Sequence, residues 1–411
     1  MGWKLLAACL ALVTSACATP TLHAQPGTLV IVGGGLEPDN QEVFEAFLKA
    51  RPATARSIAI IPAASGAPSR SAADFRDALI RHGADPADIR IVELAVKDDP
   101  ATTNIDESGW SANAGDPAQI AIIARAGAIW FTGGDQSRLT HLLIGPDGRD
   151  TPMLATIRAR LQAGAVVGGT SAGAAIMSDP MITQGDTLAA LLPDAPGEAV
   201  RFDRGLGFLG NALVDQHFGE RARLGRLAAL LIDEDQPHRM GIGIDENTAI
   251  SVRAGGGDAV VLGSGYVTLL DARTAARGTG TRFLVRNLSL GLASSGDRIA
   301  LADGTIHPAA FKKATIGNEY FDQAPISGGG MALGGTSLAE VAGEGLLDNS
   351  ASRDVERQSF SGAYGVTYRF IQTDESQGWW GRSPKGRAAY ALSGVRFDIE
   401  PLDVVITKAK N

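Results

Sequence analysis

The segment Ala165-Val-Val-Gly-Gly-Thr-Ser-Ala-Gly-Ala-Ala-Ile-Met177 is compatible with few folds. Val166 and Val167 read as a buried strand, Gly168 and Gly169 allow close backbone approach, and residues 172–177 continue at helical spacing. Between strand and helix stands Ser171, with Gly169 and Gly173 on either side in a G-x-S-x-G pentapeptide. A serine on so tight a strand-to-helix turn presents its Oγ above the sheet, beside the N–H groups that open a helix. This is the arrangement of a nucleophile elbow, and Ser171 is the candidate nucleophile. The same pentapeptide also suits a Gly-rich turn at a crowded helix–sheet contact, so the rest of the chain must decide.

Upstream, strands alternate with helices. Residues 28–32, 57–62, 89–94 and 126–131 read as strands, and residues 41–50, 72–82 and 117–125 as helices between them. The alternation predicts an α/β fold, a three-layer parallel sheet with helices on both faces. Function in such sheets collects at the C-terminal ends of the strands, so Gly33 to Gly35, Gly133 to Gln136 and Ser171 should converge. Further on, residues 211–218 read as a strand ending in polar residues and 221–232 as a helix. From Gly241 the texture changes to short strands and Gly-rich turns, and strands near 259–262, 266–270, 283–288 and 298–300 are expected to form an antiparallel edge. This gives a catalytic α/β domain over 25–310, followed by a β-rich C-terminal extension over 311–411 with no assigned role.

Residues 1–24 read as a secretory signal: Lys4, then an apolar run from Leu5 to Val13, then small residues, with cleavage after Ala18 or Ala24. The mature chain is therefore expected to be secreted or periplasmic. Ser15-Ala16-Cys17 also resembles a lipoprotein cleavage site, but Thr14 replaces the usual Leu, so an anchor at Cys17 is the lesser reading. The apolar run is too short to span a bilayer, and no later segment is long and apolar enough for a transmembrane span. Both cysteines, Cys9 and Cys17, fall in this segment, which leaves the mature chain without a disulfide. A net charge of −8, with no basic stripe and interleaved aromatics, argues against a nucleic-acid partner. Gly33-Gly-Gly35 lacks the G-x-G-x-x-G spacing of a dinucleotide site, and no zinc, phosphate-loop or haem pattern occurs, so neither metal nor cofactor is expected.

A serine nucleophile needs a base, and the chain offers six histidines. His23 leaves with the signal, His82 ends a helix, His141 lies within one, His238 sits in a loop and His307 in the late β region. His217 alone follows an expected strand end after the nucleophile, in Asp215-Gln-His-Phe218. The acid that would orient its ring stays open between Asp186, Glu198 and Glu246, since spacing does not choose. Arg221, Arg223 and Arg226 follow on the expected helix, where guanidinium groups could bind carboxylates bidentately, or form a solvated face with Glu220.

Together, Phe131-Thr-Gly-Gly-Asp-Gln136, Gly168-Gly-Thr-Ser-Ala-Gly-Ala-Ala-Ile-Met-Ser-Asp179, Asp215-Gln-His-Phe218 with its three arginines, and Gly243-Ile-Asp-Glu-Asn-Thr248 resemble the cyanophycinases over roughly residues 28–275. These are serine peptidases of the aspartyl-dipeptidase clan, with a fold like class I glutaminases. The resemblance implies hydrolysis of cyanophycin, a polyaspartate with arginine on each side-chain carboxyl, to β-Asp-Arg dipeptides through an acyl-enzyme on Ser171 with His217 as base. It implies an oxyanion hole from the N–H of Ala172 and one from the Gly133-Gly134 turn, taken as Gly134. It places Gln136, Asp215, Gln216, Arg221, Arg223 and Arg226 in the substrate pocket. For the acid, Asp186 matches the dipeptidase relatives' spacing and is preferred, with Glu246, in the better matched motif, close behind. The family often forms homodimers, and the signal segment points to its extracellular branch. Two other readings stand beside this one: an aspartyl or isoaspartyl dipeptidase, and a non-catalytic surface binding protein on the same fold.

Overall fold

The computed structural model describes residues 26–405 and 407, apart from 193, 280–281, 329 and 331–335. The signal segment, both cysteines and the Cys17 anchor reading lie outside the described residues. Parallel strands β1 (Thr28–Val32), β2 (Ile58–Ile61), β3 (Ile89–Ile91), β4 (Ala128–Phe131) and β5 (Val166–Thr170) lie in the order β1-β5-β4-β2-β3. β2 and β4 are apolar and buried at every position, as strands covered on both faces must be.

Alternate residues of these strands face opposite layers. Val30, Ile58, Ile60 and Trp130 pack on α1 (Gln41–Lys49) and α2 (Pro68–Arg81). Leu29, Ile31, Ile129 and Phe131 pack on α3 (Pro117–Arg125), α4 (Gln136–Leu143) and α5 (Pro152–Gln162). Side chains of Asn40, Asp116, Asp135 and Thr151 cap helix N-termini, taking backbone N–H groups that would otherwise be orphaned. Trp130 stacks on Phe75 at 4.2 Å and meets Phe47 edge-on at 5.1 Å. Gly168 makes room for that ring, since a Cβ there would lie 2.6 Å from Trp130 Cε3.

After the short helix α6 (Ala172–Ala175), β6 (Met181–Gln184) and β7 (Arg201–Asp203) pair across α7 (Thr187–Leu191). The chain then runs through β8 (Leu213–Gln216), α8 (Leu224–Leu231), β9 (Met240–Ile244), β10 (Thr248–Arg253), β11 (Asp258–Gly263) and β12 (Tyr266–Asp271). Next come β13 (Ala276–Arg277), β14 (Val285–Ser294), β15 (Arg298–Ala300), β16 (Thr305–His307) and β17 (Lys313–Ala314). Beyond the helical turn Ala339–Leu347, the strands are β18 (Asp354–Ser361), β19 (Tyr364–Ile371), β20 (Gln377–Arg382) and β21 (Ala388–Asp403). β10 joins β1 antiparallel and extends the first sheet through β11, β15 and β16. A second sheet runs β8-β9-β12-β14-β21-β20-β17, with β19 on β21 and β18 on β19. Among the described residues no helix is long and apolar enough to cross a membrane.

Several expectations change here. The strand before His217 is β8, and it pairs with β9 in the second sheet rather than lying on the sheet that carries Ser171. The expected antiparallel edge divides, β11 and β15 going to the first sheet and β12 and β14 to the second. The helix expected from Arg221 begins at Leu224, because the chain first turns through Ala222 at φ 49°. The boundary near 311 is not a structural break either, for β21 lies directly against β14. Val395, Phe397 and Ile399 share one core with Leu290, Leu292 and, from α8, Leu227 and Leu231. Lys312 and Asp297, both fully buried and 2.5 Å apart, tie the two sides together, and the ammonium also donates to Ser294 Oγ at 2.6 Å and Tyr390 O at 3.0 Å. All three donors of the ammonium thus have acceptors, which is what makes its burial tolerable.

The Trp130 contact yields a stability test. Gly168→Ala should cost about 1–3 kcal/mol through overpacking against the indole, measured as a lower urea midpoint at unchanged m value.

Candidate active site

Where β5 ends, Ser171 adopts φ 54° and ψ −109°, a backbone conformation that residues other than glycine rarely take. Such a turn costs on the order of 1–3 kcal/mol and persists only if its surroundings hold it. Here the Ser171 N–H donates to Val32 O at 3.0 Å, and its carbonyl accepts from Ala174 and Ala175 at 2.8 and 3.0 Å. Gly169 and Gly173 are needed for the same reason: a Cβ on Gly169 would meet Gly173 O at 2.5 Å, and one on Gly173 would meet Phe131 O at 2.6 Å. The elbow reading rests on these contacts.

His217 follows β8, also in a left-handed conformation at φ 47°, and its N–H donates to Gly33 O at 2.6 Å across the gap between the two sheets. Its Nε2 lies 2.8 Å from Ser171 Oγ, and its Nδ1 lies 2.5 Å from Glu246 Oε1. Glu246 sits in the turn joining β9 to β10. β8 and β9 are parallel neighbours, so the residues just past their ends are brought together. With Nδ1–H donating to the carboxylate, the Nε2 lone pair is free to accept the Ser171 hydroxyl proton. Gly34 and Gly35 form the bed for both groups: a Cβ on Gly34 would fall 2.4 Å from His217 Nε2, and one on Gly35 2.7 Å from Glu246 Oε2.

Burial pushes the His217 pKa below its ordinary value; the Glu246 hydrogen bond pulls it up, while the nearby Arg221 and Arg223 charges pull it down. The ring is therefore neutral, and basic, at neutral pH.

Asp186, preferred from sequence as the orienting acid, is not at the imidazole. It caps α7, its Oδ1 accepting from Ala189 N at 2.9 Å and its Oδ2 from Glu198 N at 2.7 Å. Glu198, beyond α7, lines the cleft, and the His217 ring nitrogens bond to Glu246 and Ser171 instead. The carboxylate that meets His217 is Glu246.

The Gly133-Gly134 turn after β4 lies against the elbow, a Cβ on Gly133 falling 3.4 Å from Ser171 Cβ. Gly134, at φ 142°, packs on Ala64 O, where any side chain would collide. Among the described residues the N–H groups of Gly134 and Ala172 have no acceptor within the chain. Two free donors beside the serine are suited to a developing oxyanion.

In front of Ser171 opens a cleft of about 750 Å³, lined by Gln136, Gln216, Glu198 and the arginines. The arginines differ in use. Arg226 is buried and grips buried Asp215 bidentately, at 2.5 and 2.9 Å, while donating to Gly185 O at 2.5 Å. Arg223 also reaches Asp215, at 3.3 Å, and burial brings its pKa down to about 10, leaving it charged. Asp215 and Arg226 thus brace the wall from inside, with Arg226 also reaching the cleft lining. Arg221 is exposed at the cleft and, among the described residues, has no carboxylate within 4.0 Å. The Gln136 amide nitrogen is held by Ile182 O and Thr183 O, both at 2.8 Å. Gln216 Oε1 is buried without a hydrogen-bond donor of the chain.

Sequence reasoning passed over a clamp next to the acid. Asn247, at φ 52°, accepts on Oδ1 from Asn40 Nδ2 at 2.6 Å and Glu37 N at 3.1 Å, and donates to Glu37 Oε2 at 2.7 Å. Asp245, on the other side, accepts from Gly219 N at 2.9 Å and Tyr266 N at 3.0 Å, and burial with Glu220 nearby pushes its pKa up to about 6. Nothing local in the sequence ties Asn40 to Asn247, 207 positions away.

A family model described as "Peptidase family S51" matches residues 29–260. A protein of Nostoc sp. named "Cyanophycinase" is 31% identical over 295 residues, covering 69% of this chain and 89% of its own. A second "Cyanophycinase", from Synechococcus elongatus, is 33% identical over 259 residues, covering 62% of this chain and 71% of its own. The crystal structure of a peptidase from an acI-B1 Actinobacterium aligns at 22% identity and a TM-score of 0.49, over 68% of this chain and 98% of that one.

Protonation of His217 would remove the Nε2 lone pair that faces Ser171 Oγ, so kcat/KM should fall with falling pH, with a midpoint below 6.5. Arg221→Ala, which removes a charge that disfavours the imidazolium, should move that midpoint upward in the same profile. Glu246→Ala should lower kcat by about 10³–10⁴-fold. Asp186→Ala should instead leave kcat within a few-fold and cost about 1 kcal/mol of stability as a lost cap.

Proposed function

The chain belongs to peptidase family S51, and from that membership we propose that it is a secreted serine exopeptidase that hydrolyses cyanophycin to β-Asp-Arg dipeptides. The observation that carries the reading is the continuous hydrogen-bond chain Ser171–His217–Glu246, whose serine lines an open cleft. Ser171 Oγ attacks the scissile backbone carbonyl as His217 Nε2 takes its proton, and the N–H groups of Ala172 and Gly134 receive the oxyanion. His217 passes the proton to the leaving amine, which departs, and an ester to Ser171 remains. Water, deprotonated by the same nitrogen, then cleaves the ester and restores the serine. Glu246 holds the ring in the required tautomer and offsets its positive charge in both steps.

The substrate chemistry fits the wall. Each repeat of the polymer offers a free carboxylate and a guanidinium group. Arg221, without an acid partner of its own, suits the carboxylate; Glu198 and the unsatisfied Gln216 Oε1 suit the guanidinium. Relatives named cyanophycinases support the same substrate. The openness of the cleft favours a polymer over the closed pocket that a dipeptidase would need. Secretion rests on the signal segment at 1–24.

The test is release of β-Asp-Arg from insoluble cyanophycin by the mature chain and by its Ser171→Ala variant. The expected outcome is release by the first and a loss on the order of 10⁶-fold in the second. Cleavage of short β-aspartyl peptides with none from the polymer would replace this reading with a dipeptidase.

A further inference from the structure

The catalytic cleft does not end at Asp203. A second open depression, of about 1040 Å³, continues from it, and Ser137 and Asp203 line both. Its floor is one face of α4 and the residue after it, with Ser137, His141 and Ile144 at i, i+4 and i+7. Its rim carries Lys97 and Arg204, both exposed and, among the described residues, without a carboxylate within 4.0 Å. Arg204, which lines the depression, is nonetheless held in place, its Nη1 donating to Gly148 O at 2.6 Å. Two cations with no carboxylate partner among the described residues, set beside the acidic Asp203, match a ligand that brings carboxylates and guanidinium groups in alternation.

We infer that this depression is a polymer-binding groove that holds the repeats beyond the bond being cut, with Lys97 and Arg204 taking their free carboxylates and Asp203 a guanidinium group. The inference rests on the cyanophycin reading above. It also has a length. The eight residues of α4 rise about 12 Å at 1.5 Å each, and an extended polyaspartate advances at most about 3.6 Å per residue. The groove thus holds about three repeats past those in the catalytic cleft.

The experiment uses the mature full-length chain and a series of defined (β-Asp-Arg)n oligomers alongside the polymer. For the wild type, KM should fall as repeats are added and level off after about three beyond the shortest cleavable oligomer. The double charge reversal Lys97→Glu with Arg204→Glu should lower the ratio of polymer kcat/KM to shortest-oligomer kcat/KM roughly tenfold, two exposed attractions becoming repulsions. The deficit should shrink in high salt, as exposed charges are screened. A KM independent of length, or a ratio held at the wild-type value by the double variant, overturns the groove while leaving the substrate standing. A wild type that releases no β-Asp-Arg from the polymer overturns the substrate and the groove with it.

Discussion

The imidazole of His217 rests on glycine backbone that belongs to another sheet. Ser171 and Gly33 to Gly35 come from ends of the first sheet, and His217 from the end of β8 in the second. The bond from His217 N–H to Gly33 O, at 2.6 Å, joins the two. Glu246 lies where the chain itself crosses over, between β9 of one sheet and β10 of the other. The three groups are therefore aligned only while the sheets keep their mutual position. Gly34 sets how near they come, since any Cβ there would occupy the ring's own space.

Electrostatics at the site are graded by depth. Arg226 and Asp215 neutralise each other inside the wall, Arg223 stands halfway out and shares the same carboxylate, and Arg221 reaches the cleft with its charge uncompensated. The inner pair is rigid because each partner would be costly to leave alone in low dielectric. The outer charge remains available because solvent pays its hydration until a ligand replaces it. The same outer charge also acts on His217, disfavouring the imidazolium.

Local chemistry was legible in the sequence, and long-range pairing was not. The α/β alternation and the elbow could be read because strand period, helix period and glycine at a forced turn are written in neighbouring residues. His217 stood out because it alone among the histidines followed a strand end after Ser171. The acid could not be chosen that way. Asp186 and Glu246 both sit in turn-like sequences, and only the pairing of β8 with β9 brings one of them to Nδ1. The three arginines looked alike in spacing, yet the turn through Ala222 gives them different depths. Likewise β21 reads as a peripheral strand until its partner β14, about a hundred positions earlier, is known.

The pairing of β21 with β14 changes what the last hundred residues are for. A chain ending near 311 would keep Ser171, His217 and Glu246, but Asp297 would be left as a carboxylate in an apolar interior with no cation. β14 would become a naked edge, open to strands of other molecules. The face of α8 that packs on β9 would lose much of the core it shares with Val395, Phe397 and Ile399. The C-terminal strands thus work as a splint for the arm that carries His217, and a defect in them would be felt at Ser171 without touching it.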